Sequence, residues 1–371
     1  HGSRGGPQFV TNEDGSQSLV NVTSSSHDYS RTLSGQLNQS LLDLGKWTAL
    51  KAARATAQAG DASYTAAEQD LLIRVATAYF DVLTAEDALK FAQANEQALN
   101  RQMEQAQQRF EVGLSAITDV NDAKAQHDTS VANVITAQNT LDDNEEALRQ
   151  LTNKEPGTLK GLREKLPMDK PEPADPDEWV SVAVAQNPTL HSYAQQLEAA
   201  KANVQTARSG HLPTLNGQVL YSKTPSWSDN SASSFNEAFH TNSERWSTTV
   251  GLTLNVPLFS GGFTQSRVRQ TIFNRDNAQD QFELQKRLVE RSTRNSYRAV
   301  IAGASQVEAT GQAVVSAQSS LDATQAGYEV GTRTIVDVLI SQQQLLQAQS
   351  SYSQARHAFI LNGLRLKQAA G

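Results

Sequence analysis

From Trp246 to Leu258 apolar and polar positions alternate. Trp246, Thr248, Val250, Leu252, Leu254, Val256 and Leu258 share one face, and Ser247, Thr249, Gly251, Thr253, Asn255 and Pro257 the other. A period of two is the signature of a strand, because successive side chains point to opposite sides. Tyr29 to Leu41 repeats the pattern more loosely, and Leu215 to Tyr221 is a third such run. The polar face is almost uncharged, and the longer runs reach about 10–13 residues, against the 9–11 that a tilted strand needs to cross a bilayer. Two readings stay open: strands of a membrane barrel with a wet lumen, or the edge of an ordinary sheet. In the barrel reading Trp246 and Tyr29 sit in the interfacial aromatic girdle, and the polar stretch Thr224 to Ser243 is an external loop. Three strands cannot close a barrel, and lipid tolerates no open edge. Closure therefore demands several chains.

The remaining pattern is helical. Lys46 to Glu111 and Gly262 to Glu329 contain no proline. At about 65 residues and about 1.5 Å per residue, each spans roughly 100 Å. Shorter helices are expected over Ala116 to Asn153 and Thr334 to Ala370. Between the two sets lies a linker, Lys154 to Pro176, with prolines at 156, 167, 171, 173 and 176; proline lacks a donor and disfavours helix at the residue before it. A short helix, Asp177 to Gln186, follows. Asn187-Pro188 opens another, which runs to Arg208 and ends at Ser209-Gly210.

The chain repeats itself. Arg109 to Val120 (RFEVGLSAITDV) aligns without gaps to Gly327 to Val338 (GYEVGTRTIVDV), and Asn38 to Gly45 (NQSLLDLG) resembles Asn255 to Gly262 (NVPLFSGG). Two copies of one plan follow: strand, long helix, tight turn, second helix. The second copy is preceded by a helix and strand, Asn187 to Ser222, that the first copy lacks. The repeat thus leads us to expect a start truncated by one helix and one strand, with four strands in the complete subunit. His1 to Gly6 reads as an unnatural start.

Composition narrows the class. The 371 residues are 38% hydrophobic and 6% aromatic, with a net charge of -7 and no cysteine; the pI is near 5.6 and the mean hydropathy -0.50. That is too little bulky apolar side chain for a thick core and suits thin helical layers. No apolar stretch is long enough for a transmembrane helix. No basic run points to nucleic acid. The seven histidines show no metal-binding spacing, and neither a phosphate loop nor a nucleophile elbow is present. No enzyme, cofactor or metal is expected. His127 and His357 read as helix-surface residues, and Asp142, Asp143, Glu145 and Glu146 as a solvated helix face.

Several segments resemble the TolC family of outer-membrane factors, which serve type I secretion and multidrug efflux. The strongest is Ala313 to Leu339; others are His211 to Leu215 (HLPTL), Val256 to Gly262 (VPLFSGG), Ala76 to Leu83 (ATAYFDVL) and Arg109 to Val120. The resemblance covers nearly the whole chain. It implies a mixed α and β membrane protein, a homotrimer sharing one twelve-stranded β-barrel with four strands per subunit. A twelve-helix periplasmic α-barrel with a small mixed α/β equatorial belt continues it. Residues 1–45 would then be strands and loop of the first copy, and 46–153 its α-barrel helices. Residues 154–186 form the linker and equatorial segment, 187–210 a further helix, 211–260 the second copy's strands, and 261–371 its helices. The implied partners are a periplasmic membrane-fusion adaptor, an inner-membrane pump or ABC transporter reached through it, and outer-membrane lipid. The implied function is an exit duct for drugs, small molecules or secreted proteins. The alternative is a soluble periplasmic coiled-coil scaffold or adaptor, which explains the helices but not the alternating strands.

The two turns carry the candidate chemistry. Gly113 and Gly331 can take the left-handed conformation that ends a helix. Thr334 with Asp337 has capping-box spacing, so Asp337 and Asp119 read first as first-turn acids favouring the helix dipole. The resemblance adds a second role. Around a threefold axis Asp337 would form a cation-selective carboxylate ring, its pKa raised by mutual repulsion. The family's second acid is here Ile340, an apolar constriction. Tyr328 and Arg333 resemble residues that latch the mouth shut against Thr118 and Asp119. Gly113, Leu114, Gly331 and Thr332 match the adaptor-docking surface, although glycine is also what the turn itself needs.

Overall fold

The computed structural model describes residues 2–163, 166–168, 171–232 and 235–371. Contacts divide the chain into two units, 1–53 with 200–275 and 54–199 with 276–371.

The first unit is built on one antiparallel sheet. Its strands are β1 (Gly2–Thr11), β2 (Gln17–Ser30), β3 (Leu33–Leu42), β4 (Thr214–Ala232) and β5 (Phe235–Asn255). β2 and β3 lie end to end along one edge of β4, β5 takes the other edge, and β1 pairs with the far edge of β2. The sheet therefore has four lanes where the alternation pattern indicated three.

Gly2 to Gly6 pair residue for residue with Val22 to Ser26. Two expectations are corrected here. Thr224 to Ala232 and Phe235 to Ser243 are no loop, because they continue the β4–β5 pairing, with Trp227 opposite Asn242 and Asp229 opposite His240. Tyr29 to Leu41 are not one strand, since the ladder breaks between Ser30 and Leu33. The break has a local cause. The Arg31 N–H donates to the Pro225 carbonyl at 3.1 Å. A residue's N and C=O point to the same edge of a strand, so an ordinary residue at 225 would return a bond to Arg31; proline has no N–H to give.

The register assembles an apolar face. Leu37, Val219 and Val250 stand side by side across three lanes, as do Leu42, Leu215 and Leu254. Val250 is 73% exposed and Leu252 70%. Along β5 this face runs from Leu254 to Trp246, roughly the 9–11 residues that a bilayer needs. Lys223, paired to Glu244 at 3.4 Å, marks its outer limit. Past it Tyr29 and Trp227 form an aromatic row.

The second unit is helical. Helices α1 (Leu44–Glu111, 68 residues) and α5 (Phe263–Glu329, 67 residues) are the long pair, and α2 (Ile117–Thr152) and α6 (Ile335–Ala370) are the returns. With α3 (Pro176–Gln186) and α4 (Pro188–Ser209), every helix begins and ends within two residues of its sequence expectation. The core is a set of thin seams rather than one mass, such as Ala78, Val82 and Leu148 between α1 and α2. Alanine recurs because a methyl group lets two backbones approach. Glycine does the same where aromatics intrude: a Cβ on Gly303 would sit 3.4 Å from the Phe359 ring, and one on Gly311 3.2 Å from Tyr352.

His357 is not a surface residue. It is buried in α6, its ring tilted against Phe80 and its Nδ1 2.8 Å from Thr84 Oγ1. The Thr84 hydroxyl already donates to the Phe80 carbonyl at 2.7 Å, so Nδ1 carries the proton of a neutral ring. Burial holds the His357 pKa below its ordinary value; Asp87 pulls it up and Arg356 down. His127 is half-buried between helices, its Nε2 3.2 Å from Glu96 Oε1. Asp142, Asp143 and Glu146 are exposed as expected, while Glu145 is half-buried and helps to raise the pKa of Glu86, whose main cause is burial.

Candidate functional site: the hairpin tips

Both helical hairpins turn in the same way. The Leu114 N–H donates to the Arg109 carbonyl at 2.8 Å and the Gly113 N–H to the Phe110 carbonyl at 2.9 Å. At the second tip the Thr332 N–H donates to Gly327 at 2.8 Å and the Gly331 N–H to Tyr328 at 3.1 Å. This paired bonding satisfies the last carbonyls of a helix and needs a residue with positive φ. Gly113 has φ 76° and Gly331 φ 80°. Val112, Leu114 and Val330 project from these turns, each at least 70% exposed. The four expected docking residues therefore lie at the two tips, with small or bare backbone accessible.

The returns start differently. Thr334 caps α6 with a complete capping box. Its N–H and hydroxyl donate to Asp337 Oδ2 at 3.0 and 2.9 Å, and the Asp337 N–H donates to Thr334 Oγ1 at 3.3 Å. These bonds, first from the Thr334 backbone and then from its side chain, hold the Asp337 pKa below the ordinary carboxylate value. Within one chain the shift is thus opposite to that expected of a repelling ring. Ala116, at the cap of α2, supplies no side-chain bond, and Asp119 stands in that helix's first turn.

Between the tips lies a cavity of about 220 Å³, lined by Arg109, Asp119, Tyr328, Arg333 and Ile335 among others. Three of the four expected latch residues meet here; Thr118 is exposed on the first turn of α2, outside the lining. Tyr328 is 6% exposed and packs with Leu99, Leu321, Ile335, Val338, Leu339 and Leu345. Among the described residues no ion pair joins Arg333 to Asp119, and the Tyr328 hydroxyl has no hydrogen-bond partner. An unpaired buried hydroxyl costs about 1–3 kcal/mol. Burial pushes the Tyr328 pKa up, with Arg109 opposing and Asp119 adding to the rise. The sequence reading missed Arg109, whose guanidinium lies 4.9 Å from the centre of the Tyr328 ring. Its signal was the mismatch inside the repeat: Arg109 aligns with Gly327, where a Cβ would come within 2.7 Å of Arg333 Cγ. Ile340 is half-exposed and lines a groove of about 590 Å³ between α2 and α6.

A sheet with one long apolar face, paired coiled hairpins and glycine-turned tips define a class, and the comparisons agree. The family described as Outer membrane efflux protein matches residues 6–154 and 179–371, and the chain belongs to it. The chain is 40% identical to the outer membrane protein TolC of Escherichia coli (strain K12) over 339 residues, 91% of this chain and 68% of that protein. It is 38% identical to TolC of Vibrio cholerae, over 90% of this chain and 75% of that one. The alkaline protease secretion protein AprF of Pseudomonas aeruginosa is 29% identical, over 92% and 69%. The fold matches the solved outer membrane protein VceC of Vibrio cholerae with a TM-score of 0.73, at 18% identity, over 100% of this chain and 86% of that one. This chain is an outer-membrane efflux channel, in a family of transport ducts rather than of enzymes.

Proposed function

We propose that three copies of this chain close a single barrel and form a duct gated at the hairpin tips. The supporting observation is the sheet. Among the described residues β1 and β5 each pair along one edge only, and lipid does not accept unpaired backbone. Identical neighbours supply the missing pairs, β5 of one copy beside β1 of the next. Drugs, small molecules or secreted proteins then leave through the lumen. A periplasmic adaptor would dock at Gly113, Leu114, Gly331 and Thr332 and connect the duct to an inner-membrane pump or ABC transporter.

At the mouth, Asp337 provides a ring of three carboxylates that favours cations, with the apolar Ile340 one turn further along α6. Among the described residues Arg333 makes no ion pair within its own chain, and it reaches Thr118 or Asp119 of a neighbouring copy. Contacts of this partly exposed kind are worth about 0.2–1 kcal/mol each. Three symmetric sets close the mouth and still yield to a docked partner. Planar-bilayer recording tests this. Arg333→Glu, alone or combined with Tyr328→Phe, should raise single-channel conductance, with the charge reversal at Arg333 carrying the effect. Unchanged conductance removes the gate from the tips, and a purified chain that stays monomeric removes the duct altogether.

A further inference from the structure

Arg109 has no part in the gate described so far. We propose that its guanidinium is a clasp inside each subunit: it grips the Tyr328 ring and so holds the α5–α6 turn against the end of α1. This deepens the reading of the tips as a closed mouth and rests on it.

Four observations carry the inference. The Arg109 guanidinium lies over the ring at 4.9 Å, within the reach of a cation–π contact. The ring is fixed in place, since Tyr328 is buried among Leu99, Leu321 and Ile335 while Arg109 is half-buried beside it, and partial desolvation strengthens such contacts. The polar ends do not make the hold: the Tyr328 hydroxyl and the Arg109 Nε are both buried without a partner. Finally, the two residues belong to different hairpins, α1–α2 and α5–α6, so the contact joins parts that would have to separate on opening. The repeat makes it one-sided. The counterpart of Arg109 is Gly327, where a Cβ would come within 2.7 Å of Arg333 Cγ and force that side chain to shift; in this chain the first copy alone supplies a cation at this position. The ring, and not the hydroxyl, is therefore the gripped group.

Open probability in planar bilayers, with thermal dissociation of the trimer as a control, separates this clasp from a mere packing role. Tyr328→Phe keeps the ring and Arg109→Lys keeps a cation, and both should stay as closed as the parent. Tyr328→Leu and Arg109→Gln should each raise the open-to-closed ratio roughly 2- to 30-fold, the range a cation–π contact spans, at unchanged trimer dissociation temperature. Arg109→Met serves as a second neutral variant. The double variant Arg109→Gln with Tyr328→Leu should open no further than the stronger single one, because both remove the same contact. The clasp is refuted if Tyr328→Phe opens the channel as much as Tyr328→Leu, or if both neutral Arg109 variants stay closed. If they stay closed while Arg333→Glu opens, the gate stands without the clasp. If Arg333→Glu is silent too, both fall.

Discussion

At the scale of single residues, the two returns form a matched comparison. Thr334 and Asp337 cap α6 reciprocally, whereas Ala116 leaves α2 without a side-chain cap. Thr334→Ala should cost about 0.5–2 kcal/mol, seen as a lower midpoint in thermal unfolding of the purified protein. Ala116→Thr should act in the opposite sense. Ala116 already has extended backbone, φ -82° and ψ 156°, and Asp119 stands three residues on, so a threonine there completes a second box. The capping box at Thr334 and the turn glycines were legible in the sequence, because their partners lie within six positions. The grip of Arg109 on Tyr328 was not, since it joins residues on separate hairpins and no local pattern announces it.

At the scale of elements, helices were legible and strand ends were not. A helix stops where its own chain supplies glycine, proline or a cap, and each stop here has one. A barrel strand is held by backbone bonds, so β1 can run through Gly5, Gly6 and Pro7 with little side-chain pattern, and the β4–β5 hairpin can extend through Ser, Asn and Thr. Burial of a polar helix residue depends on which neighbour arrives, which is why His357 was misread. Its consequence is a pH dependence. A buried histidine with a depressed pKa stays neutral when folded but takes up a proton when unfolded. Its contribution is present in full above the ordinary value of 6.5 and is lost as pH falls through the folded pKa. Thermal midpoints should therefore drop between about pH 7.5 and 5.5. In His357→Asn, whose amide can still donate to Thr84, that drop should be shallower. Equal slopes in the two proteins would assign the dependence to other groups.

At the scale of the whole molecule, the sheet's two faces should respond differently to charge. Val250 and Thr249 are neighbours on opposite faces of β5. Val250→Lys places an ammonium on the apolar face and should cost roughly 2–4 kcal/mol of folding into lipid. Thr249→Lys, on the lumen side, should be tolerated. Refolding yield into vesicles measures both, and equal losses would mean that the apolar face does not meet lipid.

The glycine at 327 has one more implication, concerning symmetry. The two copies of the hairpin are not equivalent: the first supplies a cation at this position, and the second has no side chain there. A protein built from twin halves has in this way acquired a left and a right hand. Arg109→Gly would delete the cation, while Gly327→Arg would drive an arginine into Arg333. These two single exchanges should therefore fail for two distinct reasons, one by loss and one by collision.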